Sequence, residues 1–380
     1  MKTLSYGRQY IDDDDINAVV AVLKGDWLTQ GPSVREFEER FAEYVGTRYA
    51  VAFANGTAAL HGAYFAAGAR AGDEVLTSAM TFAATGNAAL YLGATPVFAD
   101  IDPSTLCLDP KAASKKVSKR TKVIAPVSYA GYPVDIAPFL EYAESCGAVV
   151  VEDACHALGA ERNGVRVGKE AHMTAFSFHP VKHITTGEGG MVVTDSEDFA
   201  HRLRLFRTHG IEKEPRFMTA PPDGPWATEM QVLGFNYRLS ELHAALGLSQ
   251  LRKLDRFVLR RKEIAALYDE LFEGDRVLCM PPRCEGHAYH LYPLQFSAGN
   301  RAAVFEELGK RGIRGMVHYL PAPLHPYYRE RFGYAPGDFP HAEEFYAREI
   351  SLPVYYGLTD DDIRRVAEEV RRIADSFPNR

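Results

Sequence analysis

Residues 146–156 read Cys-Gly-Ala-Val-Val-Val-Glu-Asp-Ala-Cys-His, a short apolar strand that stops abruptly on two acids. Three consecutive valines cannot give one dry face and one wet face. Val149–Val151 must therefore be covered on both sides, as in a parallel sheet held between helices. Further strand-like runs at 49–54, 74–77, 93–100, 123–129 and 174–178 alternate with helical stretches. That alternation predicts an α/β fold with a mostly parallel sheet. In such a sheet, side chains at the carboxyl ends of several strands converge on one rim, where ligands bind.

Two residues at that rim carry the chemistry. Asp153 ends the valine strand. Lys182 follows the strand at 174–178 after a turn at Pro180, and a Gly-rich bend leads from it into a second strand at 191–194. Pro180, Val181 and Ile184 surround Lys182 with apolar neighbours, which lowers an amine's pKa and makes it a nucleophile toward aldehydes. A lone loop lysine more often snorkels to solvent, and a lone strand-end aspartate more often caps the next helix. Together the pair fits pyridoxal phosphate (PLP), whose protonated pyridine nitrogen suits Asp153 and whose aldehyde suits Lys182.

A third part lies upstream. The strand at 49–54 runs into Asn55-Gly-Thr-Ala-Ala-Leu60, which opens a helix. Free N–H groups at a helix start, with a glycine allowing close approach, make an anion site at Gly56, Thr57 and Ala58. The alternative is an Asn55 cap with no ligand. Phe82, taken alone, reads as core, and His156 can face the same way as Asp153 three residues before it.

Residues 152–159 (Glu-Asp-Ala-Cys-His-Ala-Leu-Gly) and 176–190 (Phe-Ser-Phe-His-Pro-Val-Lys-His-Ile-Thr-Thr-Gly-Glu-Gly-Gly) resemble the DegT/DnrJ/StrS family of PLP-dependent sugar aminotransferases. The resemblance runs from Tyr6 almost to the C-terminus. It implies the fold type I, aspartate-aminotransferase architecture, with a large PLP-binding domain over residues 1–245 and a small α+β domain over 246–380. It gives Lys182 the covalent cofactor bond and Asp153 the ring nitrogen. Gly56, Thr57, Ala58 and Ser177 receive the phosphate, Phe82 the ring face, and His156 the ring or its O3′. Asn236 would reach the phosphate from the neighbouring subunit of a homodimer. Thr29, His183, Arg238, His318 and Tyr319 are the substrate candidates. The implied reaction moves an amino group from glutamate to C4 of a nucleotide-linked 4-keto-6-deoxy sugar.

Dehydratases related to this family carry histidine in place of the lysine. The Pro-x-Lys spacing and the following Ile-Thr-Thr-Gly-Glu-Gly-Gly place Lys182, not His183, at that position. A net charge of −7 and no helix-turn-helix pattern weigh against a nucleic-acid-binding regulator. Three places depart from the family pattern: Cys155, Ser128-Tyr129, and Pro353-Val-Tyr-Tyr356. They bear on substrate identity rather than on cofactor chemistry.

Five cysteines without a CxxC pair suit reduced thiols. No apolar run approaches the roughly 20 residues that span a bilayer, and the N-terminus lacks an apolar signal core. The expectation is a cytoplasmic protein with no membrane, nucleic-acid or metal partner. Apolar spacing predicts helices at 12–23, 35–45, 301–311 and 360–375, and one long helix over 240–272. Strands are expected at 290–296 and 314–319. Residues 209–231 read as a long loop with no structure of its own, suited to an interface arm. Residues 322–328 read as a rigid aromatic loop, either a sugar-nucleotide rim or plain loop packing.

Overall fold

The computed structural model describes residues 2–296 and 301–376. Its centre is a seven-stranded sheet: β1 (Tyr49–Phe53), β2 (Glu74–Ser78), β3 (Thr95–Ala99), β4 (Thr121–Ala125), β5 (Val149–Asp153), β6 (Met173–Ser177) and β7 (Gly190–Thr194). The spatial order is β1-β7-β6-β5-β4-β2-β3. Only β7 runs antiparallel to its neighbours; the other pairs are parallel. Both faces are covered, as the valine run requires. Val150 packs with Leu76, Phe98 and Ile124 on one side, and Val151 with Ala63, Val75 and Val123 on the other.

The N-terminal helices are pinned by buried acids. Helix α1 (Asp13–Leu23) starts with a capping box between Asp12 and Asp15. Helix α2 (Pro32–Val45) starts three residues earlier than its apolar spacing suggests, with proline in its first turn. The buried carboxylate of Glu241 accepts the N–H groups of Gly31, Ser33 and Val34 at 2.9, 2.6 and 3.3 Å. It supplies from another helix the cap that Gly31 cannot.

Helices α3 (Gly56–Ala66) and α4 (Ala83–Tyr91) follow β1 and β2, and the long helix expected over 240–272 is two helices, α5 (Glu241–Leu251) and α6 (Leu254–Leu271). At the break, Lys253 bonds Asp12 and lies 2.9 Å from Asp15, so the chain bends where α1 draws in its ammonium. Residue 245 lies within α5, which packs on the large lobe through Ala244 and Leu251. Along α6 the packing changes hands. Leu254, Phe257 and Val258 join the large-lobe core, while Ile264, Ala265 and Tyr268 join the core of the small lobe.

Two other expectations are revised. The stretch 209–231 contains a short ribbon, Ile211–Glu212 paired antiparallel with Glu229–Met230. Its turn is tied by Thr219, which bonds Glu229 through N–H and hydroxyl at 2.6 and 2.8 Å. The strand expected at 314–319 keeps regular pairing only at Ile313–Arg314, against Leu4–Ser5. Glycine at 315 sits where a Cβ would meet Ile350 at 2.7 Å, and beyond Met316 the chain turns toward the sheet rim. The strand expected at 290–296 is β8 (Tyr292–Gln295), antiparallel to β9 (Glu349–Leu352). Ala322, Tyr328, Phe339 and Phe345 fold back onto the Leu76–Phe98 side of the sheet. That return brings small-lobe residues to the carboxyl rim.

Candidate active site

A cavity of about 840 Å³ opens at that rim, walled by strand ends, two helix starts and the segment 316–319. Asp153 forms part of its floor and is 5% exposed. Its Oδ2 accepts the hydroxyl of Thr85 at 2.7 Å, and its Oδ1 accepts the N–H of Cys155 at 3.1 Å. Thr85 stands in the first turn of α4 (Ala83–Tyr91), and its oxygen is 2.7 Å from that of Thr81. Two hydroxyls in line thus hold the carboxylate in one orientation.

Lys182 lies across the cavity from this floor, its Nζ 3.4 Å from Nε2 of His290. Burial draws its pKa down to about 8, against the upward pull of Cys155 and Asp153; the charge of Arg261 lowers it further. Arg261 is itself buried, with no carboxylate partner among the described residues. It donates to the carbonyl oxygens of Val354, Tyr289 and His290 at 3.0–3.2 Å, and to those of Val181 and Lys182 at 3.4 and 3.5 Å. Desolvation lowers even this guanidinium, to about 10.

The N-terminus of α3 (Gly56–Ala66) faces the same space. Asn55 accepts the N–H of Ala58 at 2.8 Å, so that group is not free for a ligand. The N–H groups of Gly56 and Thr57 make no hydrogen bond among the described residues. A Cβ on Gly56 would meet Cβ of Ser177 at 2.8 Å, so only glycine lets the helix start sit against the end of β6. Two open N–H groups beside the Ser177 hydroxyl form an anion cradle.

Phe82 precedes α4 and is 59% exposed, a large ring left bare on the cavity wall. His156 is buried and neutral, its pKa held far below the ordinary range by desolvation. The N–H of Ala130 donates to its Nδ1 at 3.3 Å. Nε2 therefore carries the proton and donates to the Tyr319 hydroxyl at 3.1 Å. His318 packs at a tilt against Tyr6 and sits 2.9 Å from the Ser351 hydroxyl, which bonds buried Glu349. Glu349 also accepts the N–H of His318 at 2.9 Å.

Gly56, Thr57, Ala58, Phe82, Asp153, His156, Ser177, Lys182, His318 and Tyr319 thus line one cavity. Four expected residues do not. His183 turns away from Lys182 into the core, with Nε2 3.1 Å from the carbonyl of Ala288. Thr29 is exposed in the loop before α2, and Asn236 is exposed with its backbone bridged to Thr208. Arg238 lies outside the cavity wall. Sequence reasoning missed Thr85 and His290. Thr85 follows Thr81 by one helical turn, and His290 is a polar residue inside an apolar, aromatic run; both signals were visible.

A buried carboxylate, a desolvated amine, an anion cradle and an exposed ring around one cavity form a donor set that fits PLP. The model of the DegT/DnrJ/EryC1/StrS aminotransferase family matches residues 9–371. The spore coat polysaccharide biosynthesis protein SpsC of Bacillus subtilis is 40% identical, over 97% of each chain. Helicobacter pylori PseC, an aminotransferase involved in the biosynthesis of pseudoaminic acid, aligns with a TM-score of 0.92 and 34% identity, over 99% of this chain and 100% of that one. The PLP form of Spr1654 from Streptococcus pneumoniae aligns with a TM-score of 0.91 and 29% identity, over 98% and 99% of the two chains.

Proposed function

The chain belongs to the DegT/DnrJ/EryC1/StrS aminotransferase family, and from that premise we propose that it moves an amino group from glutamate to C4 of a nucleotide-linked 4-keto-6-deoxy sugar. It is a sugar aminotransferase of fold type I, and its cofactor is pyridoxal phosphate. The specific substrate we assign is UDP-2-acetamido-2,6-dideoxy-β-L-arabino-hexos-4-ulose, on the strength of the likeness to PseC. The five free cysteines suit a cytoplasmic location, and the exposed Trp226 and Met230 on the arm before Asn236 suit a homodimer. Among the described residues, no helix is long and apolar enough to cross a membrane.

The single observation that carries the reading is the joining of Asp153 and Lys182 to one cavity with the α3 N-terminus. When bound, PLP supplies a protonated ring that withdraws electrons from the carbon under reaction. Asp153, oriented by Thr85, holds a positive charge opposite it. Gly56, Thr57 and Ser177 hold the phosphate, and Phe82 presents its ring face. Lys182 would hold the cofactor's aldehyde carbon and, once released from it, serve as general acid–base at the carbon under reaction. A volume of about 840 Å³ leaves room for a sugar nucleotide beside the cofactor. Tyr6, His318 and Tyr319 offer it an aromatic and hydrogen-bonding wall.

A sugar dehydratase would need histidine at the cofactor position, whereas Lys182 faces the cavity and His183 the core. Other 4-keto-sugar acceptors, of the perosamine or 4-amino-arabinose type, are the competing substrates. The test is a panel of UDP-, GDP- and dTDP-linked 4-keto sugars with glutamate, the products located by NMR. Amination at C4 of the UDP sugar is expected. Amination at C3, or of another nucleotide's sugar alone, would replace this assignment.

A further inference from the structure

We propose that His290 is a positioning residue for Lys182: once that amine has shed its proton, the Nε2–H tautomer of His290 donates to its lone pair and orients it inside the cavity. The argument starts from its other ring nitrogen. His290 is 4% exposed, and its Nδ1 is buried with no hydrogen-bond partner. Desolvation by burial keeps the ring neutral, so one nitrogen carries the only proton. A proton on Nδ1 would create an orphaned buried N–H, which folded proteins rarely tolerate. A proton on Nε2 leaves only an unused lone pair at Nδ1, the cheaper defect. Nε2, 3.4 Å from Nζ of Lys182, is then the donor.

That choice constrains the lysine. An ammonium has three donors and no acceptor, so it cannot receive this hydrogen bond. The bond therefore forms once Lys182 has shed its proton, near pH 8, against the upward pull of Asp153. Cys155, His156 and His183 are held neutral by burial. Arg261 adds a fixed positive charge and, by donating to the carbonyls of both His290 and Lys182, sets the spacing between their backbones.

The proposal rests on Lys182 being the cofactor lysine, and the test separates the two ideas. Above about pH 8, where Lys182 is the free amine, nitrogen NMR on full-length protein freed of cofactor, with His290 assigned by comparison with His290→Gln, should show Nε2 protonated and Nδ1 bare. The opposite tautomer would overturn the proposal whatever Lys182 does. Capture of added PLP, followed by borohydride fixation, gives the second readout. His290→Leu should slow fixation at Lys182 about tenfold, the loss of one hydrogen bond. His290→Gln, whose amide N–H can still donate, should stay within about threefold of the native rate. Native-rate capture by His290→Leu, or equally slow capture by both variants, would refute positioning by a hydrogen bond. If His290→Leu does not fold, the tautomer decides. Fixation at another lysine would instead refute the role of Lys182.

Discussion

The hydroxyl of Thr85 donates to Oδ2 of Asp153 at 2.7 Å, joining the start of one helix to the end of a strand 68 residues later. The carboxylate is thereby fixed before any ligand arrives, lining the cavity within electrostatic reach of Lys182. Asp153→Asn should fold normally and lose roughly 3–5 kcal/mol of stabilisation at the ring nitrogen, about a hundred- to several-thousandfold in turnover. Thr85→Val keeps the shape and removes one hydrogen bond to a charge, so turnover should fall about tenfold. Single-turnover rates test both. Near-native transamination in Asp153→Asn would remove that residue from the chemistry.

Lys182 yields a pH prediction with a definite sign. Its pKa is drawn from 10.5 down to about 8, so the amine sheds its proton as the pH rises through that value. Only the free amine attacks an aldehyde. The rate at which cofactor-free protein captures PLP should therefore rise with a midpoint near pH 8 and level off above it. The neighbouring histidines (156, 183, 290 and 318) are neutral across this range, because burial holds each below its ordinary value. Asp153, Cys155 and Arg261 complete the surroundings. Lys182→Ala should capture nothing covalently. A midpoint near 10.5 would mean that the amine is not desolvated.

How much of this was legible in the chain depends on whether the controlling physics is local. Val149–Val151 declared a doubly covered strand, and Asp153 and Lys182 followed as rim residues, because strand ends are local facts. The split at Arg252–Lys253 was not legible. Helix-forming residues run through it, and the break is set by Asp12 and Asp15, more than 230 positions away. Likewise nothing near Gly31 announced its cap, which comes from Glu241. The ribbon at Ile211–Glu212 and Glu229–Met230 was hidden by its two-residue strands, too short to show alternation. His183 illustrates the limit of motif transfer: one residue from Lys182, it points the opposite way.

Glu349 should leave a mark on stability. It is fully buried at the start of β9, and burial raises its pKa from 4.5 to about 8 despite the hydrogen bonds from Ser351 and His318. The folded protein thus keeps a proton that the unfolded chain releases near pH 4.5. The stabilising contribution is complete below that pH and is lost as the pH climbs toward 8. Glu349→Gln abolishes the titration while keeping an acceptor for His318. The variant's Tm, relative to the native protein's, should therefore rise across that window. Glu152, raised to about 7 by burial, drifts in the same sense in both proteins and cancels in the comparison. Parallel Tm curves would show that Glu349 is ionised in the fold.

Asn236 makes the strongest case for a shared site, because its own chain gives it no place in one. It is exposed, outside the cavity wall, and follows an arm whose Trp226, Met230 and Leu233 are 74%, 63% and 75% exposed. Large apolar side chains bare along one arm suit an interface with a second copy. Across such an interface the Asn236 amide can donate to the phosphate held at Gly56, Thr57 and Ser177. Losing it should remove roughly 1.5–3 kcal/mol of binding. The measurement is complementation between Lys182→Ala and Asn236→Ala subunits, each impaired alone and mixed so that dimers exchange. If the site is shared, one pocket of the mixed dimer carries both lesions and the other carries neither, so activity partly returns. If mixed dimers form and stay as weak as the parents, Asn236 does not serve its neighbour's cavity.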